Sequence, residues 1–257
     1  MHRWIDLDGV ANMRDLGGLP TRDGRVIAPR RLIRSEHLQD LSPADVTRVV
    51  RELNVRDVVD LRTHTEVDAA RPGPLAAAGV RHHHHSFLPE ARPGLPPVDF
   101  LSENPDRVRP LKDTDYWTQH YRGYLTQRPD SVTAALAVIA TSPGAVIVHC
   151  AAGKDRTGTV IALALAVAGV PHEAIIEDYL LTDERLDRVL DRLLEHEPYR
   201  TALRQTPRDE HRPVAHSMAA LLAMVDADFG GAGGWLLAQG WSPGEVETLR
   251  TRLLEAA

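Results

Sequence analysis

Residues 148–158 read Val-His-Cys-Ala-Ala-Gly-Lys-Asp-Arg-Thr-Gly, and Cys150 is the only cysteine among 257 residues. A continuous apolar run, Ala145 to Cys150, precedes it, and a helical pattern begins near Thr157. The turn between them is made of Ala151, Ala152, Gly153, Lys154 and Asp155, and Gly153 is free to take a positive φ there. The backbone N–H groups of residues 151 to 156 can therefore converge on one point at a helix N-terminus, which makes an anion site. Arg156 stands six positions beyond the cysteine. From there it can close the ring and grip two oxygens with its planar fork. A phosphate monoester dianion suits that cradle.

The same field favours the thiolate of Cys150 over the thiol. Thr157 is placed to donate a hydrogen bond to the sulfur, and His149 to orient the loop. Cys150 can then attack phosphorus in line, giving a cysteinyl-phosphate that water later hydrolyses. Arg156 and the loop amides stabilise the equatorial oxygens throughout. This chemistry calls for no metal and no cofactor. A buried structural cysteine is the bland alternative, but Cys, Gly, Arg and Thr all fall where one mechanism needs them. A nucleotide-binding GxxxxGK[ST] loop is excluded, because Val148 and Asp155 stand where it requires Gly and Ser or Thr.

The elements that must position this loop alternate between strand and helix. Arg31 to Ser35, Val55 to Arg62, Gly79 to Leu88 and Ala145 to Cys150 read as strands, the last buried on both faces of a sheet. Ser42 and Pro43 open one helix, and Ser242, Pro243 and Glu245 open another with a capping-box arrangement. The alternation predicts an α/β fold with a parallel or mixed central sheet flanked by helices. After Gly158 the chain is mostly helical, with a helical extension over about 213–257. The run Val160 to Ala168 is apolar on every side, as a central buried helix is. Residues 89 to 115 break the pattern with proline and charge, and are expected to form a lid-like insertion in a single domain spanning 1–257.

Composition sets the outer bounds. Thirty basic against 36 acidic residues give a formal net charge of -6, which offers no footprint for nucleic acid. One cysteine excludes an intrachain disulfide and fits a reducing compartment. The N-terminus lacks the basic start and apolar run of a secretory signal, so a cytoplasmic protein is expected. The most apolar stretch, Val160 to Val170, falls short of the roughly 20 residues that span a bilayer. No integral membrane association is expected, and the oligomeric state is left open.

The loop His149 to Gly158 matches the HCxxGxxR[ST]G signature of the protein tyrosine phosphatase superfamily. The blocks NMRDLGG (Asn12 to Gly18), RLIRSEHL (Arg31 to Leu38), DLRTHTEVD (Asp60 to Asp68) and IIEDYLLTDE (Ile175 to Glu184) resemble those of its bacterial atypical branch. The C-terminal GGWLLAQGWSPGEVETLR does so too, and the whole is most similar to the mycobacterial protein tyrosine phosphatase B group. That resemblance implies a single phosphatase domain with added helices over the active site. It also implies a broad substrate range, from phosphotyrosine, phosphoserine and phosphothreonine in proteins to phosphoinositide lipids. Lys154 would add charge for substrates with further phosphates.

The chain has no WPD loop to supply a general acid. Asp155 is the first candidate, as the resemblance suggests, with Glu90, Asp99, Asp113 and Asp115 as rivals. Arg14 and Asp15 either line the phosphate site or brace the N-terminal segment. Asp60, Arg62 and Glu66 are expected to form a charge network beside the loop, and Asp178 and Tyr179 to be structural. The run His82 to His85 places alternate rings on opposite faces of a strand, so at most two could share an ion, and no metal site is expected. Tyr116, Trp117, Tyr121 and Tyr124 include helical spacings that would let them cover the active site, although aromatics so spaced more often serve ordinary packing.

Overall fold

The computed structural model describes residues 3–70, 73–88 and 114–255. A five-stranded mixed sheet forms the centre. Its strands are β1 (Arg14–Asp15), β2 (Leu32–Ser35), β3 (Val55–Asp60), β4 (Arg81–His84) and β5 (Ala145–His149), in the order β1-β2-β5-β3-β4. Only β1 runs antiparallel to its neighbour; β2, β5, β3 and β4 are parallel.

β5 lies in the middle and is buried along its whole length. Its side chains alternate, so both faces of the sheet are covered. Val146 and Val148 join Leu32 and Val59 in a core with the helices Pro129–Thr141, Asp155–Ala168, Ala215–Phe229 and Pro243–Leu253. Ala145 and Ile147 join Ile33, Val55 and Val58 in a second core under the N-terminal segment and residues 41–53. The central helix Asp155–Ala168 is apolar on every side, as its sequence predicts, and Val160 to Leu165 are all buried.

Both expected helix starts are formed. Ser42 accepts from Asp45 N–H and Ser242 from Glu245 N–H, and each acidic side chain returns a bond to its cap residue. Two expectations shift. The strand foreseen over residues 79–88 pairs only over Arg81–His84, because Pro74–Ala78 takes a 3₁₀ turn up to Gly79 in the left-handed region. The helix foreseen near Thr157 begins at Asp155, which brings Asp155 and Arg156 into its first turn. The insertion foreseen over 89–115 lies almost wholly outside the described residues. Among those described, no single helix is long and apolar enough to cross a membrane.

Candidate active site

The parallel strands β2, β3, β4 and β5 all deliver their C-terminal ends to one edge of the sheet, where α/β folds place their ligands. Cys150 leaves β5 at that edge and is 3% exposed. Ala151 to Lys154 then carry the chain to the helix that starts at Asp155. Gly153 has φ +69°, and a Cβ there would lie 2.4 Å from the Ser35 carbonyl oxygen. Any other residue would meet both strain and a clash.

The carbonyls of this loop are held from outside. The Ala151 carbonyl accepts from His37 N–H at 2.9 Å, that of Ala152 from Asn12 Nδ2 at 3.0 Å, and that of Gly153 from Arg34 Nη2 at 2.7 Å. Lys154 carbonyl accepts from Gly158 N–H at 2.7 Å. Meanwhile, among the described residues, none of the backbone N–H groups of residues 151–157 has a protein acceptor. A peptide whose oxygen is tied outward turns its N–H inward, so the pinned carbonyls aim a row of free donors at one place. The first N–H groups of the helix add to them.

Arg156 is aimed by Glu66. Its Nη1 and Nη2 donate to Glu66 Oε2 at 2.5 Å and Oε1 at 3.0 Å, and the two side chains are 14% and 12% exposed. Nη1 also reaches the Leu61 carbonyl at 3.5 Å, so the fork leaves Nε and the outer Nη2 hydrogen for another oxyanion. Burial disfavours the charged form of Glu66, yet the Arg156 ion pair outweighs it and holds the carboxyl below its ordinary range. Glu66 is itself fixed, because it caps the helix His64–Ala69 in a reciprocal pair with Thr63.

Asp155 sits in the first helical turn. Tyr121 hydroxyl donates to its Oδ1 at 2.6 Å and lies 2.7 Å from the Tyr179 hydroxyl. Burial and the nearby Asp155 push Tyr121 well above the ordinary tyrosine range, so it remains a donor. Lys154 Nζ lies 3.6 Å from Asp155 Oδ2, donates to the His211 carbonyl at 2.5 Å, and sits 4.8 Å over the Trp117 ring. Its ammonium is thus occupied by the helical side of the site. The expected bond from Thr157 to the sulfur is not formed. The Thr157 hydroxyl is fully buried and has no partner among the described residues. Glu90, Asp99 and Asp113 lie outside those residues, as does the side chain of Asp115.

The expected network on β3 is present, in two separate pairs. Arg62 forks Asp60, with Nη2 to Oδ2 at 2.6 Å, while Glu66 serves Arg156 instead. His149 Nδ1 donates to the Cys150 carbonyl at 3.1 Å, and its Nε2 is 3.7 Å from Asp60 Oδ2. Burial lowers His149 to about 4, against the pull of Asp60, so the ring is neutral near pH 7. Arg14 and Asp15 do not line the loop. Arg14 is fully buried against Asp178, Asn12 and Thr182, and Asp15 accepts from Gly17 N–H and Arg30 N–H. Both brace the N-terminal segment.

Asp178 carries more than a structural label conveys. Its carboxylate takes Arg3 Nη1 at 2.9 Å, Arg14 Nε at 3.2 Å and Arg34 Nη1 at 2.8 Å. Through Arg34 it fixes the Gly153 carbonyl. Asn12, Arg34 and Tyr121 were not singled out as site residues by the sequence. An arginine inside the buried strand β2 was the available signal, since a charge there must have a partner. In the histidine run, His83 Nε2 meets Asp57 Oδ1 at 2.8 Å and His84 Nε2 meets the Arg62 carbonyl at 2.7 Å, so each ring is engaged structurally.

What this edge of the sheet is shaped to hold is a tetrahedral oxyanion against a sulfur atom, which is the working arrangement of the cysteine-dependent phosphatases. Comparison with known proteins gives the same class. The tyrosine phosphatase family model matches residues 5–255, and the chain belongs to that family. The triple specificity protein phosphatase PtpB of Mycobacterium tuberculosis is 28% identical over 277 residues, spanning 97% of this chain and 98% of its own. A tyrosine-protein phosphatase of Nostoc commune is 35% identical over 124 residues, 46% of this chain and 42% of its own. Among solved structures, the core catalytic domain of the PP-IP phosphatase SIW14 from S. cerevisiae is 13% identical. That match covers 78% of this chain and 95% of that one, with a TM-score of 0.39.

Proposed function

We propose that this phosphatase works through a cysteinyl-phosphate on Cys150 and accepts phosphotyrosine, phosphoserine or phosphothreonine in proteins, and phosphoinositide lipids. The observation that carries the mechanism is the outward pinning of the loop carbonyls by His37, Asn12 and Arg34, which leaves the amides of residues 151–157 free. Sulfur attacks phosphorus in line as the ester oxygen departs. The free amides and the open side of Arg156 take the equatorial oxygens as their charge grows. Asp155 gives the leaving oxygen a proton from Oδ2, since Oδ1 is held by Tyr121. The same carboxylate then accepts a proton from the water that cleaves the P–S bond, releasing inorganic phosphate and the thiolate. The substrate range is supported by the triple specificity of the Mycobacterium tuberculosis relative, which matches this chain nearly end to end.

The test is phosphate release from a phosphotyrosine peptide, a phosphothreonine peptide and a phosphatidylinositol monophosphate, with chelator present. Wild type, Cys150→Ser and Asp155→Asn are run in parallel. Turnover of all three, abolished in the serine variant, is expected. Turnover of the lipid alone would replace the proposal with a phosphoinositide phosphatase. Binding of phosphopeptides without turnover would replace it with a phospho-ligand binding module.

A further inference from the structure

Three side chains that the phosphatase mechanism does not use meet beside the loop. His37 follows β2, Asp40 lies three residues on, and His196 comes from the far end of the sequence, after the helix Leu186–Leu193. Their ligand atoms all lie within 4.8 Å of one another, the one such group among the described residues. His196 Nε2 is 2.9 Å from Asp40 Oδ2, and His37 Nε2 is 3.9 Å from the same oxygen. A tetrahedral zinc ion about 2.0–2.1 Å from each donor sets their separations near ~3.3 Å. The two measured separations bracket that value.

His37 supplies the argument that something belongs between them. The residue is 2% exposed, and its Nε2 is buried without a hydrogen-bond partner. Its Nδ1 is 3.0 Å from Gln39 Oε1, an acceptor, so Nδ1 carries the proton and Nε2 presents a bare lone pair. That lone pair faces the Asp40 carboxylate across a gap too long for a hydrogen bond. The His37 lone pair is buried and unsatisfied, whereas Asp40 is 27% exposed and meets His196 Nε2 at 2.9 Å, so a cation seated among the three would satisfy the one orphaned atom.

We propose that His37, Asp40 and His196 form a three-ligand site for a divalent transition metal, with zinc the best fit to two imidazoles and a carboxylate. The fourth position faces the partly exposed His196 side and suits a water molecule. Gln39 is the outer partner that fixes the tautomer and direction of His37. The site is structural. It touches no reacting atom, and it ties the segment whose His37 N–H pins the Ala151 carbonyl to a residue 156 positions from Asp40. An ion there closes a long stretch of chain and holds one wall of the phosphate loop.

The experiment uses the full-length chain carrying Cys150→Ser, so that the active-site sulfur cannot take the metal, after dialysis against chelator. Zinc chloride is titrated by calorimetry, and Tm is followed with and without zinc. One equivalent is expected to bind, and at a hundredfold excess over Kd to raise Tm by about 5–10 °C. Adding His196→Ala or Asp40→Asn is expected to weaken binding by more than the ~10–100-fold that loss of an outer-shell partner such as Gln39 costs. Gln39→Ala is expected to fall within that range. His196 and Asp40 are partly exposed, so at least one of the two variants keeps the fold. No binding to the Cys150→Ser chain would overturn the site, as would binding equally tight in Asp40→Asn and His196→Ala.

Discussion

Glu66→Gln isolates the aiming of Arg156 from its presence. The substitution is isosteric and keeps one acceptor oxygen, which in the place of Oε2 still takes both Thr63 N–H and Arg156 Nη1, now held at 2.7 Å and 2.5 Å. It removes the anion, and it turns an NH₂ group toward an Nη donor that has nowhere else to go. Breaking a buried ion pair costs about 3–5 kcal/mol when one partner is left bare. The retained hydrogen bond lowers that to about 2–3 kcal/mol, because hydrogen bonds to charged groups contribute about 1.5–3 kcal/mol. The fork then no longer fixes the plane of Arg156, and a displacement near 1 Å at a reacting group costs about 10²-fold in rate. We expect kcat on a phosphotyrosine peptide to fall about 10²-fold. KM is expected to change less than about tenfold, since the unshared positive charge offsets the poorer aim. Thr63→Ala is the control: it removes the cap alone, costs about 1 kcal/mol of stability, and leaves kcat in place. Steady-state kinetics beside urea denaturation read both quantities. A Glu66→Gln enzyme with kcat within about threefold of wild type would refute the claim that this carboxylate aims the arginine.

Other expectations follow from the same contacts. Tyr121→Phe removes the donor held at 2.6 Å from Asp155, and is expected to slow an alkyl phosphoserine substrate about tenfold more than an aryl ester, whose leaving group needs a proton less; equal losses on both would separate Tyr121 from the acid step. Asp178→Asn leaves the buried guanidiniums of Arg14 and Arg34 without their shared carboxylate, and is expected to cost about 3–5 kcal/mol, read as a fall in Tm of about 6–20 °C. An unchanged Tm would show that the arginines are neutralised elsewhere. His149 has a folded-state value near 4, below the ordinary 6.5, so the unfolded chain binds more protons in that window. Its stabilising effect is complete above pH 6.5 and is lost as pH falls toward 4. Urea denaturation at pH 7 and pH 5 is expected to differ by about 2 kcal/mol from this residue alone. His149→Gln should flatten that difference, and an unchanged slope would count against the burial argument.

Where sequence and structure agree, local physics is strong. The apolar run before Cys150, the glycine at 153 and the arginine six residues on were enough to place the cysteine at the end of a strand, a tight turn after it and the arginine in the first turn of a helix, because all three lie within one strand–turn–helix. Capping boxes at Ser42 and Ser242 were equally readable, since their partners stand three residues apart. What the sequence concealed is held by long-range contacts. Arg34 reaches Gly153 across 119 positions, Asn12 reaches Ala152 across 140, and Glu66 reaches Arg156 across 90. No periodicity links such residues. Glu66 was placed in a charge network with Asp60 and Arg62, and the structure divides that network because Asp60 is already filled by Arg62. The contacts of Lys154 with the His211 carbonyl and the Trp117 face were equally hidden, since both partners lie far from it in sequence. The adjacent histidines His82 to His85 alternate between two faces of a strand, while the histidines that converge, His37 and His196, are brought together from distant parts of the chain.

The central claim is that the sulfur of Cys150 carries the phosphoryl group between substrate and water. The most direct measurement is acid quench of the Asp155→Asn enzyme during turnover of a phosphotyrosine peptide, followed by mass spectrometry of the peptide that contains residue 150. One phosphoryl group on Cys150 is predicted, absent from Cys150→Ser, with the serine variant releasing no phosphate. Continued phosphate release by Cys150→Ser, or turnover with the phosphoryl group on another side chain, would contradict the account.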